Sequence, residues 1–103
     1  MAAAGARRLE WQPGASRAFR ETLSRIAQDD PHAADLVLAR TNRAIALIQA
    51  HPALGTPTPK RGERRYPVPN TGHVFHYRVT RASIRIVLWY RARQHIRTQA
   101  SFT

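Results

Sequence analysis

The chain has 103 residues and a mass of 11.7 kDa, the size of one small domain, which excludes a two-domain architecture. It contains no cysteine, so disulfide scaffolds, cysteine nucleophiles and cysteine-based zinc sites are excluded, and the cytoplasm is the expected compartment. The net charge is +11, with 10 basic residues and 1 acidic residue after Leu54, and a surface this basic attracts nucleic acid or an acidic protein.

The first half of the chain has the pattern of a short strand followed by two helices. Residues 7–11 alternate weakly before Pro13, which predicts an edge strand and then a helix start; residues 1–6 are expected to be a disordered tail of a single domain spanning residues 1–103. Apolar residues then recur at helical spacing on both sides of Asp30 and Pro31, a capping residue and a favourable first helical residue. Because neither helix can bury its apolar stripe alone, the short junction predicts an antiparallel helical hairpin.

The second half has the period of β-strands. Residues 51–62 contain three prolines and two glycines and predict a surface loop, and residues 64–68, 73–80 and 83–93 predict three strands. Alternation assigns one face of the last two strands to the helices and the other to solvent. The helix-facing set is Phe75, Tyr77, Val79, Ile84, Ile86, Leu88 and Tyr90; the opposite set is His76, Arg78, Arg85, Val87, Trp89 and Arg91. The predicted fold is α+β in the order β-α-α-β-β-β, with one layer of helices on an antiparallel sheet that ends in a three-stranded meander.

The residue types that carry chemistry do not form a metal or cofactor site. The five histidines lie on different predicted elements, and His73 and His76, three residues apart on a strand, point to opposite faces and cannot bind one ion. No glycine-rich phosphate loop or paired carboxylates occur in the basic half. We therefore expect no metal and no cofactor.

RNA cleavage is the chemistry that the basic half could support, because the ribose 2′-hydroxyl is a built-in nucleophile. Such a reaction needs a base, an acid and cations that stabilise the charged transition state. The available side chains are Lys60, Arg61, Glu63, Arg65, His76, Arg78, Tyr90, Arg91, Arg93 and His95. A purely structural alternative stays open, in which Tyr90 belongs to the core and His76 covers the exposed face.

Several short segments also match a known pattern in order and spacing. In the first half they are Leu9-Glu10-Trp11, Ala15, Phe19-Arg20, Ala33-Ala34 and His51-Pro52-Ala53-Leu54-Gly55; in the second half they are Arg65-Tyr66-Pro67-Val68, residues 73–79 and residues 83–94. Over residues 7–97 the chain resembles the RelE/ParE superfamily of bacterial toxins from type II toxin–antitoxin systems. The resemblance implies a toxin that a separate acidic antitoxin chain neutralises.

The superfamily contains two activities: ParE-like members poison DNA gyrase, and RelE-like members are ribosome-dependent messenger-RNA endonucleases. This chain has Val74 where the nucleases often have arginine, Tyr90 at the usual histidine position, and no tyrosine after Arg93. The resemblance therefore favours a ParE-like gyrase inhibitor without catalysis of its own. Its expected target-binding residues are Arg64, Arg65, Arg85, Trp89, Arg91 and Arg93. If the chain is instead a ribonuclease, the candidate catalytic residues are Arg61, Arg65, Arg78, Tyr90, Arg93 and His95.

The expected partners follow from the same resemblance. The antitoxin is expected to occupy apolar grooves beside the helical hairpin, contacting Phe19, Leu23, Leu38 and Ile45, and complementary charge would speed its capture. A second alternative is a non-enzymatic nucleic-acid-binding module, which predicts salt-dependent binding to naked nucleic acid. No segment has the apolar run of a membrane span, so no membrane partner is expected.

Overall fold

The structure, a computed structural model, describes residues 7–92, which form two helices packed on one face of a five-stranded sheet. The order is β-α-α-β-β-β-β, and the α+β prediction with one helical layer is confirmed. The elements are β1 (Arg8–Trp11), α1 (Pro13–Asp29), α2 (Pro31–Ala50), β2 (Thr56–Pro57), β3 (Glu63–Val68), β4 (His73–Val79) and β5 (Ser83–Arg91).

One residue, Asp30, both ends α1 and begins α2. Its backbone N–H donates to the carbonyl of Ile26, and its side chain accepts from the N–H of Ala33 at 3.1 Å. Pro31 follows as the first residue of α2, where a missing N–H costs nothing. The tight junction makes α1 and α2 the helical hairpin that the sequence predicts.

The core lies between this hairpin and the sheet. Phe19 of α1 stacks on Trp11 with ring centroids 5.1 Å apart and meets Trp89 of β5 edge-on at 4.6 Å. The largest side chains with almost no exposure include Phe75 and Tyr77 of β4. Burial of each such side chain contributes about 1.5–3 kcal/mol, so contacts of this kind dominate the stability of the domain.

The sheet differs from the prediction at both edges. Its order is β1-β5-β4-β3-β2, and β1 pairs with β5 in parallel rather than antiparallel. The short strand β2, inside the predicted loop, forms an antiparallel pair with β3. The β2–β3 hairpin adds one reversal of chain direction before the meander begins. The sequence analysis predicted a loop there and not this hairpin.

A β-bulge in β5 changes which side chains reach the core. Tyr77 pairs with Ile86 but His76 pairs with Leu88, so Val87 is an extra residue that shifts the alternation. The assignment of faces is therefore correct before the bulge and wrong after it. Trp89 is in the core at 4% exposure, whereas Leu88 is 45% exposed on the opposite face.

Candidate functional site

A chain of hydrogen-bonded side chains crosses three strands on the sheet face that points away from the helices, called here the open face. His76 Nδ1 on β4 lies 2.8 Å from Glu63 Oε2 on β3, and His76 Nε2 lies 3.0 Å from Tyr90 Oη on β5. The register explains why they meet, since Glu63 lies opposite Arg78 and Tyr90 opposite Val74, each two residues from His76 along β4. We call these three residues the Glu63–His76–Tyr90 relay.

The carboxylate determines where the hydrogens of the relay lie. A carboxylate only accepts hydrogen bonds, so His76 donates its Nδ1 hydrogen to Glu63. Whether Nε2 accepts the hydrogen of the Tyr90 hydroxyl or donates its own to the hydroxyl oxygen depends on the form of the imidazole. Glu63 is 6% exposed, and its other oxygen lies 3.6 Å from Nη1 of Arg78. The three groups follow the order carboxylate, imidazole, hydroxyl. This is the order found in catalytic triads, in which the imidazole takes the proton of the hydroxyl group.

A cleft with a volume of about 170 Å³ opens beside the relay. It is lined by Gln12, Lys60, Glu63, Arg78, Val87 and Leu88. The exposed side chain of Leu88 supplies an apolar wall, while Lys60 and Arg78 supply positive charge. The cleft thus combines an apolar wall with positive charge.

Glu63 and His76 were among the side chains available for RNA chemistry, but they were not among the expected catalytic or target-binding residues. Both were recognised as titratable groups, but nothing in the sequence shows that they meet. One signal was available: Glu63 is the single acidic residue after Leu54, among 10 basic ones. A lone carboxylate in such surroundings is a candidate for a specific role.

Arg64, an expected target-binding residue, stabilises the loop before β2. It donates hydrogen bonds to the carbonyls of Ala53, at 3.2 Å, and Gly55, at 2.7 Å. The buried hydroxyl of Tyr77 donates to the carbonyl of Pro52 and accepts from the N–H of Gly55. Burial raises the pKa of Tyr77, so the phenol stays protonated and keeps this role. The His-Pro-Ala-Leu-Gly segment therefore has a structural explanation.

The other expected target-binding arginines differ in their partners. Arg85 pairs with Glu10 of β1 at 3.3 Å on the open face. Within residues 7–92, the guanidinium groups of Arg65 and Arg91 have no hydrogen-bond or ion-pair partner, and both are exposed. Arg65 lies on the open face directly opposite His76. Arg93 lies outside the described residues.

The expected ribonuclease residues are partly gathered around the relay. Arg78 pairs with Glu63 and donates to the carbonyl of Arg61 at 3.1 Å, and Tyr90 ends the relay. Arg65 lies on the same face. Arg93 and His95 lie outside the described residues. The expectation that Tyr90 shares the core face is wrong, because the bulge turns it to the open face.

Trp89, expected on the arginine face, is enclosed by the core and offers no surface to a target. Its Nε1–H donates to Thr22 Oγ1 at 3.0 Å, and its ring stacks on His73 with centroids 5.1 Å apart. Burial, the charge of Arg91 and that of Arg25 lower the pKa of His73, against a smaller raising effect from Thr71. His73 is thus a neutral core residue.

The four residues expected to contact an antitoxin have different exposures. Phe19 and Ile45 are buried in the core at 9% and 3% exposure, and Leu23 is partly buried against it. Leu38 is 39% exposed. A groove of about 140 Å³ runs between α2 and the end of β3. It is lined by Arg40, Arg43, Ala44, Leu47, Tyr66, Pro69 and Asn70.

Two further features concern residues 7–92 only. No group of three or more histidine, aspartate or glutamate side chains is close enough there to hold a metal ion. Neither described helix has the length and apolar character needed to cross a membrane.

Comparison with known proteins gives concordant results. The model of the ParE toxin of the type II toxin–antitoxin system parDE matches residues 9–95. Y4kP of Sinorhizobium fredii strain NGR234, a candidate toxin by its name, is 31% identical over 75 residues, covering 73% of this chain and 78% of that protein. A chain of the "Chromosomal ParDE TA system from P. aeruginosa" has the same fold, with a TM-score of 0.72, 18% identity, and coverage of 85% and 98% of the two chains.

The helical hairpin on a mixed sheet and the match over residues 9–95 define the class: a toxin of a type II toxin–antitoxin system. Within that class the chain belongs to the ParE toxin family.

Proposed function

We propose that this ParE-family toxin inhibits DNA gyrase and that a cognate acidic antitoxin neutralises it. The observation that carries the proposal is the family match over residues 9–95. The departures from the nuclease pattern, Val74 and the lack of a tyrosine after Arg93, support the same choice. In this proposal the toxin acts by binding gyrase, with no reaction of its own.

Arg65 and Arg85 are the proposed gyrase contacts within residues 7–92. Both are exposed on the open face, and Arg65 has no partner among the described side chains. Arg91 is exposed at the end of β5, but it lies opposite His73 on the helix-facing side of the sheet and so does not belong to the open face. Arg64 and Trp89 are left out, since one holds a loop and the other is buried.

A supercoiling assay with purified gyrase tests the proposal. The toxin is expected to stop the conversion of relaxed plasmid to the supercoiled form. Reversing the charge in Arg65→Glu should raise the inhibitory concentration at least tenfold, about 1.4 kcal/mol of binding energy. Arg43→Glu on α2 makes the same charge change away from the open face and should inhibit normally. Full supercoiling at a large excess of toxin would contradict the proposal.

The antitoxin is proposed to bind the groove between α2 and β3. Leu47 is 43% exposed there, and Arg40 and Arg43 stand beside it. Apolar and cationic groups together fit a segment with apolar and acidic side chains, and a net charge of +11 favours its capture. Of the expected contact set, Leu38 is exposed and Leu23 is partly exposed, but neither lines this groove.

Capture by the co-expressed antitoxin tests the groove separately from gyrase. The double variant Leu47→Asp, Arg43→Glu should lose at least tenfold in affinity, while Arg65→Glu should bind the antitoxin normally. If the groove variant binds as tightly as the native chain, the antitoxin lies elsewhere. Comparing these variants in the two assays thus distinguishes the proposed gyrase-binding surface from the proposed antitoxin-binding groove.

A further inference from the structure

The open face combines an exposed apolar side chain with several cations, and this combination points to the chemistry of its partner. We propose that the open face binds a protein segment of gyrase rather than DNA, with Leu88 as the central apolar contact. The segment places an apolar side chain on Leu88 and acidic side chains against the surrounding cations. This inference rests on the proposed function and adds to it both a specificity-determining residue and the kind of surface that the residue recognises.

Leu88 is a large apolar side chain that the fold exposes on a charged face. It is 45% exposed, because the extra residue Val87 turns it away from the core. It forms a wall of the 170 Å³ cleft on the open face. Water surrounds this side chain in the free protein, so covering it with an apolar group of a partner is favourable.

Cations surround Leu88 on the open face. Arg65 lies in the same row of the sheet, two strands away, at a distance of about 10 Å. Arg78 and Lys60 line the same cleft, and Arg85 precedes Leu88 by three residues on β5. An apolar centre with a charged rim is the usual arrangement of a protein-binding hot spot, in which the rim excludes water from the centre.

The Glu63–His76–Tyr90 relay keeps the surface beside Leu88 rigid. Leu88 lies opposite His76 in the register, and both ring nitrogens of His76 are engaged, at 2.8 Å from Glu63 Oε2 and 3.0 Å from Tyr90 Oη. Side chains that are already fixed lose little conformational entropy when a partner binds. The relay therefore gives the binding surface a preorganised floor.

The charges of the open face favour a protein over DNA. Glu10 lies 3.3 Å from Arg85, and Glu63 lies 3.6 Å from Arg78, so two of the cations already face carboxylates. These carboxylates oppose the approach of phosphates, whose contacts supply most of the affinity for DNA. A phosphate backbone also offers no apolar group to Leu88. A protein segment can supply both an apolar side chain and carboxylates.

The test titrates purified gyrase, without DNA, into the fluorescently labelled full chain and follows anisotropy. The native chain should bind. Leu88→Ala should weaken binding at least about tenfold, the factor that burial of a leucine side chain is worth. Leu36→Ala is the matched control, since Leu36 is 38% exposed on α2, and it should bind as the native chain does. Leu88→Met keeps an apolar side chain and should retain most of the affinity, which separates a lost contact from a lost fold.

Leu88→Lys distinguishes a protein partner from DNA. It replaces the apolar contact by a further cation, so it should weaken binding to DNA-free gyrase at least about tenfold. If the open face instead bound DNA, the added charge would strengthen binding, and a duplex oligonucleotide titrated into the same variants measures this directly. Added salt should weaken the native complex with gyrase, because it screens the acidic side chains of the partner from the cations.

Five results would overturn this inference and leave gyrase inhibition standing. They are equal binding by Leu88→Ala and the native chain, binding by Leu88→Met as weak as that of Leu88→Ala, stronger binding by Leu88→Lys, binding to gyrase only when DNA is present, and an affinity that salt does not change. A native chain that neither binds gyrase nor inhibits supercoiling would contradict the proposed function itself, and this inference with it.

Discussion

Gly55 lies closer to its neighbours than any side chain would permit. A methyl group at this position would come within 2.6 Å of Tyr77 Oη and 2.8 Å of the carbonyl oxygen of Arg65. The second contact is with backbone, which cannot rotate away, so either the loop or β3 must move. The tight approach lets the N–H of Gly55 reach the Tyr77 hydroxyl at 2.9 Å.

Gly55→Ala is therefore expected to destabilise the domain by about 1–3 kcal/mol, the usual cost of overpacking. Urea unfolding followed by circular dichroism measures the change. Gly14→Ala is the control, because nothing lies within 4 Å of a methyl group there and alanine favours the helix. Equal stability of Gly55→Ala and the native chain would show that the loop is not packed as described.

Two buried threonines give a matched pair of tests at the same scale. Thr22 Oγ1 accepts the hydrogen bond from buried Trp89 Nε1, whereas Thr41 Oγ1 is buried with no partner among residues 7–92. Thr22→Val should cost about 1–3 kcal/mol, since the indole N–H is left unsatisfied. Thr41→Val removes an unsatisfied hydroxyl and should leave stability unchanged or higher. Thermal melts should give a lower melting temperature for Thr22→Val than for Thr41→Val. The reverse order would contradict the assignment of the Trp89 hydrogen bond.

Among the elements, β5 shows why part of the fold could be predicted and part could not. Both helices, the hairpin and the meander follow from local periodicity and from Asp30 and Pro31, and these are confirmed. The bulge at Val87 depends on pairing with β4, which a single strand's pattern does not reveal. The parallel pairing of β1 and the two-residue strand β2 are also set by tertiary contacts rather than by local sequence.

The candidate site, like the fold, could be predicted only in part from the sequence. The residue types needed for chemistry were visible in the sequence, including Arg65, Arg78 and Tyr90. The relay itself requires Glu63, His76 and Tyr90 to meet from three strands, and that depends on register and on the bulge that turns Tyr90 outward. Sequence spacing alone assigned Tyr90 to the core.

At the scale of the whole molecule, His73 couples folding to pH. Its pKa is lowered in the folded state by burial and by the charges of Arg91 and Arg25. The unfolded chain takes up this proton near pH 6.5, whereas the folded chain resists it. The contribution of His73 is thus fully present above pH 6.5 and is lost as the pH falls through 6.5 towards the lowered pKa.

The free energy of unfolding of the native chain should therefore fall on acidification from about pH 7 to about pH 5. His73→Phe keeps an aromatic ring against Trp89 but cannot be protonated, so its stability should fall less over the same range. Urea unfolding at several pH values checks this. An identical loss in both proteins would assign the pH dependence to other groups.

The measurement that tests the central claim most directly is pulse labelling of cells in the first minutes after this chain alone is induced. Thymidine and methionine incorporation are followed side by side, in cells that express the native chain and in cells that express Arg65→Glu, the variant expected to lose gyrase binding. Gyrase inhibition predicts that the Arg65→Glu cells are spared and that thymidine incorporation falls first in the native-chain cells, while methionine incorporation continues. Early loss of methionine incorporation in those cells, with thymidine incorporation maintained, would contradict it.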